Sequence, residues 1–364
     1  MFQSFDMQKA IALLDLDYFY AQCEELRKPE IKGKPVVIVM PSLRENSGAI
    51  ATANYLAREQ KIKSGMPLQL AKKLASKDTV FINADKEYYK EISSKVFEIV
   101  DFMCDKVEQV SIDEAYMDLT SPLGFEKAED TCTKIKEKIK SELGLTCSIG
   151  LSTNKFLAKL ASNEKKPDGL FILRESVEKF LEKKKIRELF GVGPKFEKLF
   201  KSNGVNKIGD IKKHSKKELI DWFGEAKGVD FHNFAFGIDE RGVEPNREKK
   251  QVSRMITLKS DSRDFEYIFE QIKLLSDLVF IEASKIHKKF KTGSLVIVNS
   301  NFETITKSKS KTEINSLQRL IEIEEQLLRD FLDESLSKVR RVGVRISNFE
   351  EGKGLQKTLF DFKK

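Results

Sequence analysis

No stretch of this chain approaches the ~18 consecutive apolar residues of a membrane-spanning helix, and its first residues lack the basic and apolar regions of a secretory leader. A cytosolic protein is the expectation. Cysteine and histidine are both scarce. Cys23, Cys104, Cys132 and Cys147 have no ligand-like spacing, and with His214, His232 and His287 as the complete histidine set, little material is left for a structural zinc site. The thiols read as free core residues. Acidic charge is in deficit. Lys and Arg number 65 against 57 Asp and Glu, giving a net charge of +8 and a pI near 9.0, which points to a polyanionic partner. Most of the excess lies from Arg241 onward, with 25 Lys and Arg against 19 Asp and Glu. At 364 residues the chain is too long for one core, so two to four domains are expected.

What is present centres on Ser111-Ile112-Asp113-Glu114-Ala115-Tyr116-Met117-Asp118, where apolar alternation on both sides predicts a β-hairpin carrying an acidic pair. Neighbouring side chains on a regular strand point to opposite faces. Asp113 and Glu114 can therefore serve one ion only if the backbone turns or bulges between them. A third carboxylate is available in Asp15, at the end of the apolar run Ile11-Ala12-Leu13-Leu14. Such oxygen donors suit a hard cation such as Mg²⁺, which binds through a few carboxylates plus substrate phosphates. Solvated acids at a hairpin tip are the competing reading.

Strands are expected at Ile11–Leu16, Pro35–Met40 and Cys147–Ser152, and helices at Tyr20–Arg27, Leu68–Leu74, Lys86–Val107, Glu126–Leu143 and Asn154–Glu164. Gly48 to Arg58 passes from a glycine turn into helix, and Lys165-Lys166-Pro167-Asp168-Gly169 closes the unit. This is an α/β unit around one sheet, with 29 to 83 read as an insertion. From Arg174 to Glu240 the pattern turns helical. Phe190-Gly191-Val192-Gly193-Pro194-Lys195 resembles a helix-hairpin-helix turn, whose backbone N–H groups can hold a phosphate, with Lys195 and Lys198 beside it. A polar linker at 241–251 precedes a βαββαβ order, with strands at 252–259, 294–300, 304–308 and 338–347 and helices at 265–288 and 316–332. Ser253, Arg254, Thr257, Lys259, Lys307, Lys309, Arg341 and Arg345 are its candidates for backbone contact.

The segments ALLDLDYFYAQCEE, SGAIATANYLAR, SIDEAYMD, GLSTNKFLAKLAS with KKPDG, and GVGPKFEKLFKSNG occur here in the order found in Y-family translesion DNA polymerases of the DinB type. The chain resembles that family, its archaeal members most, from about Ile11 to Ser347. The resemblance implies an α/β multidomain right hand: palm at 1–18 and 84–173, fingers at 19–83, helical thumb at 174–240, linker at 241–251, little finger at 252–350 and a tail at 351–364. It implies low-fidelity, template-directed synthesis from dNTPs on primed DNA by a monomer, without proofreading. Asp15, Asp113 and Glu114 would be the catalytic carboxylates and, with the Leu16 carbonyl, would ligate two Mg²⁺ ions about 3.5–4 Å apart. Tyr18, Phe19, Tyr20, Thr52, Tyr55, Arg58 and Lys166 would contact the incoming nucleotide, with Tyr20 as the steric gate against a ribose 2′-hydroxyl. Gly191, Gly193, Lys195, Lys198, Arg254, Lys259, Arg341 and Arg345 would contact DNA. Asp17 gets at most a supporting role.

The end of the chain is similar to a sliding-clamp peptide, with Gln356, Leu359, Phe360 and Phe362 as the plug behind a glycine-bearing tether. Lys363 stands where the eukaryotic and archaeal form prefers an aromatic. A different class would be a noncatalytic DNA- and clamp-binding scaffold of the same fold, and the intact acids speak against it. A cyclase-like enzyme on a related palm would have no use for the glycine turn, the basic module or the tail.

Overall fold

The computed structural model describes residues 9–45, 47–174, 176–245, 248–286, 288–314 and 316–351. The clamp-peptide residues Gln356, Leu359, Phe360 and Phe362 lie outside them, as does the short lead up to residue 8.

The chain divides into two compact units. The first takes residues up to Val39, Ile50–Met66, and the chain from Ala71 to the linker; the second takes Met40–Ala49, Pro67–Leu70 and everything from Glu248 onward. In the first, β1 (Ile11–Leu16) and α1 (Phe19–Arg27) lead to β2 (Val36–Val39), β3 (Ile50–Ala53) and α2 (Tyr55–Glu59). Then follow α3 (Leu68–Leu74), whose first turn belongs to the second unit, β4 (Val80–Asn83), α4 (Lys86–Met103), β5 (Val107–Gln109), β6 (Glu114–Asp118), α5 (Gly124–Leu143), β7 (Cys147–Ser152), α6 (Lys155–Ser162) and β8 (Leu170–Ile172). Helices α7 (Val177–Lys183), α8 (Pro194–Ser202), α9 (Lys216–Phe223) and α10 (Glu225–Ala235) complete the unit.

Its main sheet runs β5-β6-β1-β7-β8, with β1 antiparallel to both of its neighbours. All six residues of β1 are buried because both faces are covered. Ala12, Leu14 and Leu16 enter the core beneath α4 and α5, whereas Ile11 and Leu13 pack with Tyr116 and Ala158 under α6. Asp15 follows the second set and therefore faces α6. Gly150 lets α6 lie that close: a Cβ there would sit 2.1 Å from the Ser162 nitrogen and 2.3 Å from the Ala158 carbonyl oxygen. The four cysteines are buried free thiols, and burial pushes Cys23, Cys104 and Cys147 up to about 12. A second sheet, β3-β2-β4, lies within the expected insertion. Its parallel strand β4 had no separate signal, nor had β8, whose three residues are half-buried and short.

The second unit adds β9 (Gln251–Ser262), α11 (Phe265–Lys285), β10 (Lys288–Asn299), β11 (Thr304–Ile314), α12 (Leu317–Glu334) and β12 (Val339–Glu351), with sheet order β11-β10-β12-β9. The βαββαβ order stands, but the strands run longer than expected, β9 to Ser262 and β12 to Glu351, and the boundaries around β10 and β11 differ most. Helix α11 stops at Lys285 and β10 begins at Lys288, because Phe290 and Thr292 alternate inward among lysines that read as a helix end. Strand β11 continues to Ile314 through Lys307-Ser308-Lys309-Ser310, a polar run without hydrophobic alternation. Among the described residues no helix is long and apolar enough to cross a membrane.

Candidate active site

The acidic cluster forms from strand register and one tight turn. Asp15 of β1 sits directly opposite Glu114 of β6, so two carboxylates from different strands share a face. Asp113 precedes β6 in the turn, where its carbonyl accepts from the Leu16 N–H at 2.9 Å. Ser93 of α4 clips the same turn by donating to the Ile112 carbonyl at 2.6 Å. The backbone bend that the adjacent acids require is thus supplied by the end of the hairpin. The Asp113 carboxylate accepts a 2.5 Å bond from the Ser111 hydroxyl. Among the described residues, no three acids, cysteines or histidines gather as a ready-made metal group.

Two ammoniums occupy the neighbourhood where positive charge is wanted. Lys159 of α6 lies 3.0 Å from Asp15 Oδ2 and contacts Glu114 Oε1, while Lys166 contacts Asp15 Oδ1. Burial works to raise the Asp15 carboxyl, but its bond with Glu114 and the charges of Lys159 and Lys166 outweigh it and hold the group below its usual range. Glu114 moves the other way: burial, then the bond to Asp15, push it up to about 7 against the pull of Lys159. Asp15 is therefore the ionised partner of the pair. An all-oxygen donor set that already attracts two cations fits a hard divalent ion.

Around the acids a cleft of about 310 Å³ is lined by Asp15, Leu16, Tyr18, Phe19, Tyr20, Thr52, Tyr55, Arg58, Asp113 and Lys166, among others. All seven residues expected at the nucleotide line it. Tyr18 holds left-handed backbone (φ 34°) just before α1, a strained conformation for an aromatic residue, and lines the cleft together with Phe19 and Tyr20. Its ring meets Tyr55 edge-on at 5.3 Å. Tyr20 stacks at 4.4 Å on Tyr89, which is fully buried, so its ring is fixed from behind. Burial and the nearby Asp113 charge raise the Tyr20 phenol. Arg58 bonds the Ala53 carbonyl at 2.8 Å and lies over the Tyr55 ring, and among the described residues no acid pairs with it. The Tyr55 hydroxyl is buried without a hydrogen-bond partner among them. An anionic ligand would complement both groups.

Three residues that carry this geometry were not singled out from the sequence or were given a minor part. Lys159 is the first; its signal was its place one helical turn after Lys155 in Asn-Lys-Phe-Leu-Ala-Lys. Asn54 is the second, a saturated amide that caps α2 through the Ala57 N–H, accepts from Val36, and donates to Glu25 and the Lys34 carbonyl. Asp17 is the third, and its part is structural. Its buried carboxylate accepts from Thr146, Ser148 and the Asp168 N–H at 2.7–3.0 Å, tying the ends of β1 and β7 to the lysine-bearing turn.

Farther along the first unit, Gly191 adopts φ +87° and Gly193 caps α8. Lys195 and Lys198 are exposed there, without acid partners among the described residues. A short 3-10 turn, Ile186–Glu188, replaces the first helix of the expected pair. In the second unit Val342, Val344 and Ile346 point to the helices, so Arg341 and Arg345 lie on the open face of the sheet, opposite Thr257 and Ser253 of β9. Lys259, next to the buried Leu258, alternates to that face too. Arg254 does not: it pairs with Glu282 of α11 at 3.2 Å on the helix side. Lys307 bonds Glu334 of α12 in the same way.

Comparison with known proteins adds independent findings. Residues 14–163 match the model of the impB/mucB/samB family, and residues 249–359 match that of its C-terminal domain. The chain is 41% identical to a DNA polymerase IV of Nitrosopumilus maritimus, over 94% of this chain and 96% of that one. It is 38% identical to a DNA polymerase IV of Methanosarcina acetivorans, over 98% and 100%. Among solved structures, a chimeric Y-family DNA polymerase covers 93% of the chain and 98% of its own, with TM-score 0.87 and 30% identity. The insertion ternary complex of Dbh DNA polymerase matches with TM-score 0.68 and 32% identity over the same shares.

Proposed function

The chain belongs to the impB/mucB/samB family of Y-family DNA polymerases, and from that membership we propose that it copies damaged templates with low fidelity and without proofreading. It is a DNA-directed DNA polymerase. The observation that carries the reading is the convergence, at one cleft, of the Asp15–Glu114 pair and Asp113 with the buried Tyr55 phenol, which has no hydrogen-bond partner among the described residues, and the Arg58 guanidinium, which no acid pairs with among them.

In the proposed reaction the primer 3′-hydroxyl gives its proton to water, its oxygen bonds to the α-phosphorus of a dNTP, the bond from that phosphorus to the α,β-bridging oxygen breaks, and pyrophosphate leaves. Asp15, Asp113, Glu114 and the Leu16 carbonyl would hold two Mg²⁺ ions. When bound, these supply Lewis-acid activation of the hydroxyl and charge neutralisation of the triphosphate. Arg58, Tyr55, Thr52 and Lys166 offer a guanidinium, two hydroxyls and an ammonium to the departing phosphates. The N–H groups of Phe19 and Tyr20 at the start of α1, and of Tyr18 before it, would add backbone donors. Lys195 and Lys198 beside the glycine turn, and Arg341, Arg345 and Lys259 on the open sheet face, would grip the DNA backbone, an interaction that weakens steeply with salt. A cytoplasmic, nucleoid-associated monomer is part of the same reading. Extension of a primed template with Mg²⁺ and four dNTPs tests it directly. A protein that binds this DNA yet extends nothing would support the scaffold reading instead.

The stacked Tyr20 ring would lie where a ribose 2′-hydroxyl must pass. Tyr20→Ala is expected to raise ribonucleotide incorporation by about a hundredfold or more, since the clash is removed while the phosphate contacts stay. Single-nucleotide insertion with paired rNTP and dNTP measures this, and unchanged sugar selectivity would remove the gate assignment. For the tail, deletion of residues 356–364 is expected to leave unaided extension intact and abolish stimulation by the cognate sliding clamp. A truncated chain stimulated as well as the full one refutes the clamp peptide.

A further inference from the structure

Lys159 poses a question that the polymerase reading leaves open. Its ammonium bridges Asp15 Oδ2 and Glu114 Oε1, two of the oxygens on which the carboxylate site depends. Lys166 also touches Asp15, but it lies on the other oxygen and reaches no second acid of the site. A bridging cation and a bound divalent ion compete for the same lone pairs.

The position of Lys159 is built from several directions. Asn154 caps α6 through the Leu157 N–H at 3.0 Å and donates to the Gly237 carbonyl at 2.8 Å. Asp239 accepts from the Phe156 N–H at 3.0 Å. One turn before Lys159, Lys155 makes a buried ion pair with Glu108 of β5, and Gly150 lets the helix sit directly on β7. The side chain of Lys159 is 24% exposed, between partners that are 8% and 25% exposed. A solvated surface lysine has no such scaffold.

We propose that Lys159 is an internal counter-ion of the catalytic carboxylates, which keeps Asp15 and Glu114 together in the free protein and holds divalent-cation affinity low until nucleotide and DNA arrive. The proposal rests on the carboxylate site assigned above. Asp15 and Glu114 face each other in strand register, and a cation between their oxygens offsets the negative charge that the pair carries together. In the free protein Lys159 is that cation. Ion binding must displace it, so the free protein pays for each entry, whereas triphosphate oxygens supply extra ligands that tip the exchange. Lys159 is thus a positioning residue that couples metal loading to substrate.

The test uses the full chain without DNA or nucleotide, titrated with Mn²⁺ alone and followed by the electron paramagnetic resonance signal of the free ion. Asp15→Asn identifies the site in each background. Lys159→Met is expected to bind the Asp15-dependent Mn²⁺ at least tenfold more tightly than the native chain, and Lys159→Arg, which keeps the charge, is expected to retain the native weakness. In EDTA, Lys159→Met is expected to melt at a lower temperature than the native chain and to regain more of the difference with saturating Mn²⁺. Equal or weaker affinity in Lys159→Met overturns the proposal. So does an equal thermal loss with and without Mn²⁺, which would make Lys159 a structural tie. Absence of Asp15-dependent binding in every variant would overturn the metal assignment together with this inference.

Discussion

Asp113→Ala is expected to extend a primed template at least about a thousandfold more slowly than the native chain, equivalent to about 4 kcal/mol of transition-state stabilisation. The substitution is informative because Asp113 contributes little to the fold. Its carboxylate bonds the Ser111 hydroxyl, while the turn itself is fixed by backbone and by Ser93. The Leu16 N–H holds the Asp113 carbonyl, and the Val110 N–H holds that of Glu114, at 2.9 and 3.0 Å. Alanine leaves all of these in place. The melting temperature should therefore move by no more than about 2 °C, as for a surface change. Primed-DNA affinity should persist as well, because the proposed phosphate grips lie elsewhere. Native-like extension by the variant would remove Asp113 from the catalytic set.

Asp15 would be a less clean choice. Its removal leaves Lys159 and Lys166 close together with one carboxylate fewer between them, so a loss of rate would be mixed with a loss of stability. The same contrast shows how much of the site was legible in the sequence. The acids and their strands were readable, since Ile11–Leu16 is continuously apolar up to Asp15 and the alternation resumes after Glu114. Their juxtaposition was not, because it depends on which residue of β1 faces which of β6. Register is a tertiary quantity, and it also decided the fate of the basic residues in the second unit. Arg341, Arg345 and Arg254 look alike in sequence, yet one step of alternation turns Arg254 to the helices and an acid partner. Glu324 is a sharper case. It stands in α12 at a spacing shared with Leu320, Leu327 and Leu328, is fully buried, and has neither carboxylate oxygen bonded among the described residues. Burial holds its carboxyl well above the usual range, at a position where the sequence pattern reads as charge.

Lys155→Met is expected to cost about 3–5 kcal/mol in a urea titration, the largest stability effect foreseen outside the sheet cores. Lys155 and Glu108 are 8% and 5% exposed, so their attraction is little screened by water. Glu108 also accepts from the Glu244 N–H at 2.8 Å, and Lys155 lies 5.2 Å from the Tyr116 ring. Without the ammonium, a buried carboxylate would keep a single backbone donor, and that uncompensated charge is the source of the loss. Adding Glu108→Gln should therefore recover most of it, since the neutral amide can still accept from Glu244 and no longer needs a cation. Glu108→Leu is the poorer partner, because it strands the Glu244 N–H. A single-variant loss below about 1 kcal/mol, or a double variant no better than Lys155→Met, would mean that water already reaches the pair. The effect also bears on chemistry. Lys155 and Lys159 are one turn apart on α6, and the first fixes the helix to β5 and the chain at Glu244 while the second reaches Asp15 and Glu114. A helix loosened at Lys155 cannot hold Lys159 in its bridge, so Lys155→Met should weaken Mn²⁺ exclusion in the same direction as Lys159→Met, without touching a carboxylate of the site.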